Sequence, residues 1–97
     1  MKSTTTDAFW NCYAELPEEI KKQARDMYAQ FLHDPYYPGL HFKRVHSARA
    51  MYSVRITRDY RALGILQHND EIIWFWIGSH SDYEKIIKKS GTHLKYW

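Results

Sequence analysis

Three strand-like runs, Met51 to Thr57, Tyr60 to Gln67 and Glu71 to Gly78, follow one another with only Arg58-Asp59 and His68-Asn69-Asp70 between them. Separators of this length are short enough for hairpins, so these runs read as an antiparallel meander. Arg55 and Arg61 flank the first turn, and the hairpin can set both guanidinium groups on one sheet. His80 follows the last and most apolar strand. Cations beside a group able to move protons suit the chemistry of a phosphodiester, which makes RNA the first substrate to consider.

Upstream, the pattern changes to helical. Lys2 to Thr6 is rich in β-branched residues and fits a short edge strand, after which Ala8 to Leu16 carries Phe9, Trp10 and Tyr13 at helical spacing. Pro17 opens a second helix, with Glu18 and Glu19 in the first turn, where the helix dipole favours acids. Ile20, Ala24, Met27, Tyr28 and Phe31 form its apolar stripe, and Lys21, Lys22 and Arg25 fall away from that stripe. Asp34-Pro35 and Pro38-Gly39 end it in a loop. Leu40 to Val45 adds a fourth strand-like run ahead of the hairpins. Ser79 to Lys89 reads as a closing helix, with Ser81-x-x-Glu84 as a capping box and Ile86 and Ile87 on its apolar side. The expected fold is α+β: two N-terminal helices, a twisted, mainly antiparallel sheet of about four to five strands, and a short C-terminal helix.

The 97 residues make one domain, 1–97, with 90–97 as a tail and room for a single modest core. Lys and Arg number 14 against 11 Asp and Glu, a lean that permits nucleic-acid contact without establishing it. Cys12 stands alone, which excludes an internal disulfide or a cysteine zinc cluster and fits a reducing cytoplasm. No apolar run approaches the roughly 20 residues of a membrane span, and MKSTTTDAFW lacks the apolar stretch of a secretory signal.

The order of elements, Leu40-His41-Phe42-Lys43-Arg44-Val45, Tyr52-Ser53-Val54-Arg55-Ile56, Asp59-Tyr60-Arg61-Ala62 and Trp74-Phe75-Trp76-Ile77-Gly78 together resemble the RelE/ParE superfamily, the toxins of bacterial type II toxin–antitoxin pairs. The resemblance runs from about Thr5 to Ile87. It implies a small sheet with helices on one face and a concave basic face on the other. RelE-like members cleave messenger RNA in the ribosome without metal or cofactor and are silenced by a cognate antitoxin that wraps them. ParE-like members share the fold and act on DNA gyrase, so fold alone does not choose between them.

RNA cleavage without metal needs a group to help deprotonate the 2′-OH, cations for the charged phosphorane, and an acid for the leaving 5′-oxygen. Arg55 and Arg61 suit the second task and coincide with positions where RelE-like enzymes carry functional basic residues; the plain alternative is a pair of surface arginines bridging to Asp59 or Asp82. His80 is the candidate for proton transfer. It lies near a helix N-terminus and matches a position where several RelE-like nucleases place a catalytic Arg or His, against the commoner fate of a histidine that hydrogen-bonds a turn. Tyr83 has two readings, a base-stacking or phosphate-bonding residue and a core residue of the closing helix. The sequence departs from the family where Ser53 and Arg55 occupy a strand on which strong RelE-like nucleases carry two basic residues. Lys43 and Arg44 are candidates to compensate, with ordinary solvation the alternative, more so for Arg44.

The other histidines carry less weight. His41 and His46, five apart on an expected strand, point to opposite faces, which argues against a shared metal; His33, His68 and His93 fall at a helix end, a turn and the tail. Trp74, Phe75 and Trp76 invite a base-stacking reading, but Ile72, Ile73 and Ile77 around them point to the core, joined by Trp10 and Phe9. The expectation is a RelE-like toxin, a metal-independent endoribonuclease acting on mRNA with the ribosome; the alternative is a non-catalytic binding module, gyrase-directed or a solitary descendant.

Overall fold

The structure, a computed structural model, describes residues 1–46 and 48–89. The expected tail and His93 lie outside the described residues. In chain order the elements are β1 (Lys2–Thr5), α1 (Asp7–Ala14), α2 (Glu18–His33), a single 3-10 turn (Pro38–Leu40), β2 (Lys43–Arg44), β3 (Met51–Thr57), β4 (Tyr60–Gln67), β5 (Glu71–Ser79) and α3 (His80–Lys89). The strands form one sheet in the order β1-β5-β4-β3-β2, with β1 parallel to β5 and the other pairs antiparallel. The α+β architecture thus follows the expectation, with five strands and three α-helices among the described residues.

Local chemistry accounts for the boundaries. The Thr6 hydroxyl accepts the Phe9 N–H at 3.1 Å and caps α1. Both hairpins form where the short separators require them: Thr57 pairs with Tyr60 across Arg58-Asp59, and Gln67 with Glu71 across His68–Asp70. Asp70 closes the second turn in the left-handed region (φ 62°), a conformation that Asp tolerates better than most side chains.

The sheet separates two apolar clusters. On one face α1 and α2 cover Val54, Ile56, Ala62, Ile72, Trp74 and Ile77, with Phe31 and Leu40 buried among them. On the other, Tyr83 and Ile87 of α3 pack on Val45, Met51 and Leu63. Gly64 marks the tightest point of the first cluster, where a Cβ would lie 2.8 Å from Trp74 and 2.9 Å from Ile72. Any side chain here would force those two apart.

Several local expectations are corrected. The run from Leu40 to Val45 contains only two strand residues, because the Pro38–Leu40 turn ends in His41 at φ 48°. His41 is therefore an exposed cap residue and not a strand residue, and His46 lies past the strand, buried, its Nδ1 accepting the N–H groups of Ala48 and Arg49 at 3.1 Å each. Their separation rests on that geometry instead of strand alternation. Ser79, not Ser81, caps α3: its hydroxyl accepts the Asp82 N–H at 3.1 Å, so the helix begins at His80. Trp10 is not core. It is 51% exposed, with its indole N–H donated to Thr5 Oγ1 at 2.8 Å, and Tyr28 of the α2 stripe is also exposed, its hydroxyl bonded to Ser3.

The Trp74-Phe75-Trp76 cluster divides between the two faces. Leu63 pairs with Trp76 and Gly64 with Trp74, so Phe75 is the extra residue of a β-bulge. The bulge breaks the alternation of faces. Trp74 enters the α1/α2 core at 3% exposure, whereas Phe75 and Trp76 pack against the α3-side cluster and are only partly buried.

Candidate functional site

Arg55 and Arg61 are direct cross-strand partners on β3 and β4. Residues so paired share a face, and alternation from Leu63 and Met51 places both on the side covered by α3. Like charges in this position repel, so the sheet carries a cost that packing alone would not select. Neither arginine takes part in an ion pair with an acid among the described residues, which removes the salt-bridge alternative.

The two are held differently. Arg61 folds back on its own turn, its Nη1 donating to the carbonyls of Thr57 at 2.6 Å, Tyr60 at 3.0 Å and Arg58 at 3.1 Å. Burial, and after it the Arg55 charge, lower its pKa from the ordinary arginine value, while Tyr83 and Asp59 pull the other way. Arg55 is half-buried on the neighbouring strand, and none of the hydrogen bonds and ion pairs among the described residues engages its guanidinium. One cation is thus fixed by the backbone and the other has its donors available.

His80 meets this pair through the turn. Its N–H donates to the Asp59 carbonyl at 2.7 Å, and the adjoining pairs, Tyr60 with Ser79 and Arg61 with Gly78, place the start of α3 at the same end of the sheet as the Arg61 guanidinium. The imidazole is 40% exposed, with Nδ1 3.6 Å from Glu84 Oε1 and its ring 5.4 Å from that of Tyr83. At that separation Glu84 orients the ring electrostatically without a hydrogen bond. The helix N-terminus offers less to an anion than its position suggests. The His80 and Asp82 N–H groups are already taken, and the Asp82 carboxylate lies in the first turn.

Tyr83 follows the core reading. It is 2% exposed, which leaves no ring face for a base. Burial pushes its pKa above the ordinary tyrosine value, opposed by Ser53 and by the Arg61 charge. Ser53 is itself 1% exposed, out of reach of an RNA backbone. Lys43 pairs with Ser53 and so lies on the arginine face, exposed; Arg44 pairs with Tyr52 and belongs to the opposite face, where its Nε donates to the carbonyls of His46 and Arg49 at 3.0 and 3.2 Å. The structure therefore gathers Lys43, Arg55, Arg61 and His80 on one side, with Tyr83 and Ser53 beneath them, and leaves Arg44 out.

No set of three or more His, Cys, Asp or Glu side chains able to hold a metal is present among the described residues. A cavity of about 490 Å³ opens on the other face, between α1, α2 and the sheet, lined by apolar residues such as Phe9, Met27, Phe31 and Ile77. None of the candidate residues lines it. A cavity of that volume and apolar lining is the usual shape of a small-molecule site; the cations and the imidazole lie instead on the α3 face. The sequence reading weighed Trp76 as a base-stacking residue and set it in the core, because the bulge that brings it to the α3 face leaves no mark in a single sequence.

A small mixed sheet with a helical pair on one side and a cationic face under a short C-terminal helix is the fold of RelE- and ParE-type toxins. It superposes on a RelB–RelE antitoxin–toxin complex from Methanococcus jannaschii with a TM-score of 0.69 at 14% identity, covering 86% of this chain and 96% of that one. A YoeB/ParE toxin from Agrobacterium tumefaciens gives 0.64 at 15% identity, over 82% and 99% of the two chains. The isolated E. coli RelE toxin gives 0.62 at 12%, over 92% and 97%. No curated protein sequence matches. Residues 18–85 match the ParE-like toxin domain family, and the chain belongs to that family, within the RelE/ParE superfamily.

Proposed function

We propose that this chain is the toxin of a type II toxin–antitoxin pair and an endoribonuclease that cuts messenger RNA, with the ribosome presenting the substrate. The observation that carries this reading is the cross-strand Arg55–Arg61 pair, two unneutralised cations facing one another beside His80. The 2′-oxygen attacks phosphorus, the bond to the 5′-oxygen breaks, and the products are a 2′,3′-cyclic phosphate and a 5′-hydroxyl. Arg55, with its donors available, binds the non-bridging oxygens; Arg61, immobilised by three carbonyls, adds a charge that needs no reorganisation as the phosphorane forms. His80 moves a proton at its imidazole, Lys43 binds the flanking backbone, and buried Tyr83 with Ser53 positions Arg61. A cognate antitoxin is the expected partner, as in the RelB–RelE complexes that the fold resembles. The cell compartment that fits this substrate is the cytoplasm, and no described helix is long and apolar enough to cross a membrane.

A second reading is favoured by the internally capped start of α3 and by the turn carbonyls that occupy Arg61: a binding module that does not cut, directed at gyrase or inert. Induction of the chain alone separates them. Arrested translation with new 5′ ends in messages and normal DNA supercoiling supports the ribonuclease. Supercoiling defects with intact messages assign the chain to the gyrase class, and undisturbed growth at high expression makes it inert.

A further inference from the structure

We propose that Trp76 is the base-contacting residue of this site, its indole serving as the platform for a nucleobase next to the phosphate held by Arg55 and Arg61; this rests on the ribonuclease reading. Three observations converge on it. The bulge at Phe75 turns Trp76 out of the α1/α2 core and onto the arginine face, partly exposed. Gly78, two residues on, is paired with Arg61, and a Cβ there would lie 2.6 Å from Cζ2 and 3.0 Å from Cη2 of Trp76. The six-membered ring of the indole thus lies against the glycine directly across from Arg61. Gly78 does not have the positive φ that would call for glycine on conformational grounds, so the missing side chain serves the ring.

The third observation is the indole N–H. Trp10 and Trp74 each donate theirs, to Thr5 at 2.8 Å and to Ser3 at 3.0 Å, whereas Trp76 has no hydrogen-bond partner among the described residues. No buried side-chain nitrogen there is left unsatisfied, so this N–H faces outward. A flat, partly exposed ring with a free donor, on the strand next to Arg61 and on the same face as the arginine pair, matches how single-stranded RNA is read: the bases stack on aromatic side chains and the backbone pairs with arginine. Of the other aromatics described on this face, Tyr83 is enclosed, and Phe75 carries no N–H donor and is not placed against Gly78 across from Arg61.

The test uses the full chain with ribosomes programmed by an mRNA library randomised at the codon being cut, read by primer extension. The native protein should cut with a base preference at one nucleotide. Trp76→Ala should cut roughly ten- to a hundredfold more slowly and lose that preference, while Trp76→Phe restores most of both. Gly78→Ala, which keeps the indole but displaces it, should also lose the preference. Melting curves of the three variants guard against a general loss of fold. Trp76→Ala cutting with the native rate and profile overturns the platform, as does a slow variant that keeps the native base preference. A native protein that cuts no message removes the ribonuclease reading and the platform with it.

Discussion

Replacing Arg55 by Gln should make the protein more stable and less active at once. Gln keeps much of the aliphatic stem and removes the charge that faces Arg61 across the β3–β4 ladder. A like-charged pair directly opposite costs about 0.2–1 kcal/mol. Nothing is left unpaired by the change, because the Arg55 guanidinium makes no hydrogen bond or ion pair among the described residues. For a domain of this size each kcal/mol corresponds to about 4–8 °C in melting temperature, so the gain should be about 1–8 °C. The gain must also be electrostatic in character: it should shrink between 0.1 M and 1 M salt as the Debye length falls from about 10 to 3 Å. Cleavage of ribosome-bound message should fall about 10²–10³-fold, the scale of removing one preorganised donor from a charged transition state. Thermal denaturation at two salt concentrations with a single-turnover cleavage assay reads all three effects. A melting temperature that falls, at either salt, would show that Arg55 has a structural partner and that the repulsion inferred from the register is not real.

Arg61→Ala should behave in the opposite sense for stability, because its Nη1 ties together the turn at Thr57, Arg58 and Tyr60; loss of one charged donor shared among three carbonyls should cost about 1–2 kcal/mol and lower the melting temperature by about 5–15 °C, alongside the loss of cleavage. Tyr83 gives a pH signature. Burial raises its pKa, so the neutral phenol stabilises the fold fully below the unfolded value of about 10, and that contribution is lost as pH rises through the higher folded value. Alkaline titration of melting temperature should show this decline in the native protein and lose it in Tyr83→Phe. His80→Gln should leave the melting temperature unchanged, since its pairing with half-exposed Glu84 at 3.6 Å adds little, and should slow cleavage about 10²–10⁴-fold; equal rates in single-turnover assays with EDTA present would remove the imidazole from the chemistry.

The hairpins, and with them the placing of Arg55 and Arg61 on one sheet, were legible in the sequence because they follow from turn length, a local property. Legibility failed where a position depends on where a neighbouring element stops. Ser79-x-x-Asp82 and Ser81-x-x-Glu84 are equally good capping boxes on paper, and the extra pairing of Ser79 with Tyr60 decides between them. Lys43 and Arg44 are equivalent cations until the two-residue strand β2 is registered against Ser53 and Tyr52. Trp10 and Tyr28 have core spacing, yet α1 buries none of its residues fully, so their rings rim a cavity. The bulge at Phe75 is the clearest case. Alternation from Ile72 would send Trp76 into the α1/α2 core with Trp74, and one unpaired residue reverses that.

The departures from ordinary sheet chemistry are not scattered through the molecule. An arginine faces an arginine, a tryptophan lies over a glycine with its N–H unspent, and a β-bulge redirects the strand between them, all on the α3 face. On the α1/α2 face the indole and phenol groups of Trp10, Tyr13, Tyr28 and Trp74 are bonded to Thr5, Arg25 and Ser3, and the tight contact at Gly64 serves packing. A sequence optimised only for stability would replace Arg55, since that substitution removes a local conflict. That the Arg55–Arg61 pair and the Trp76–Gly78 contact adjoin the end of the sheet where α3 begins is the physical reason to seek the chemistry there rather than in the apolar cavity behind the sheet.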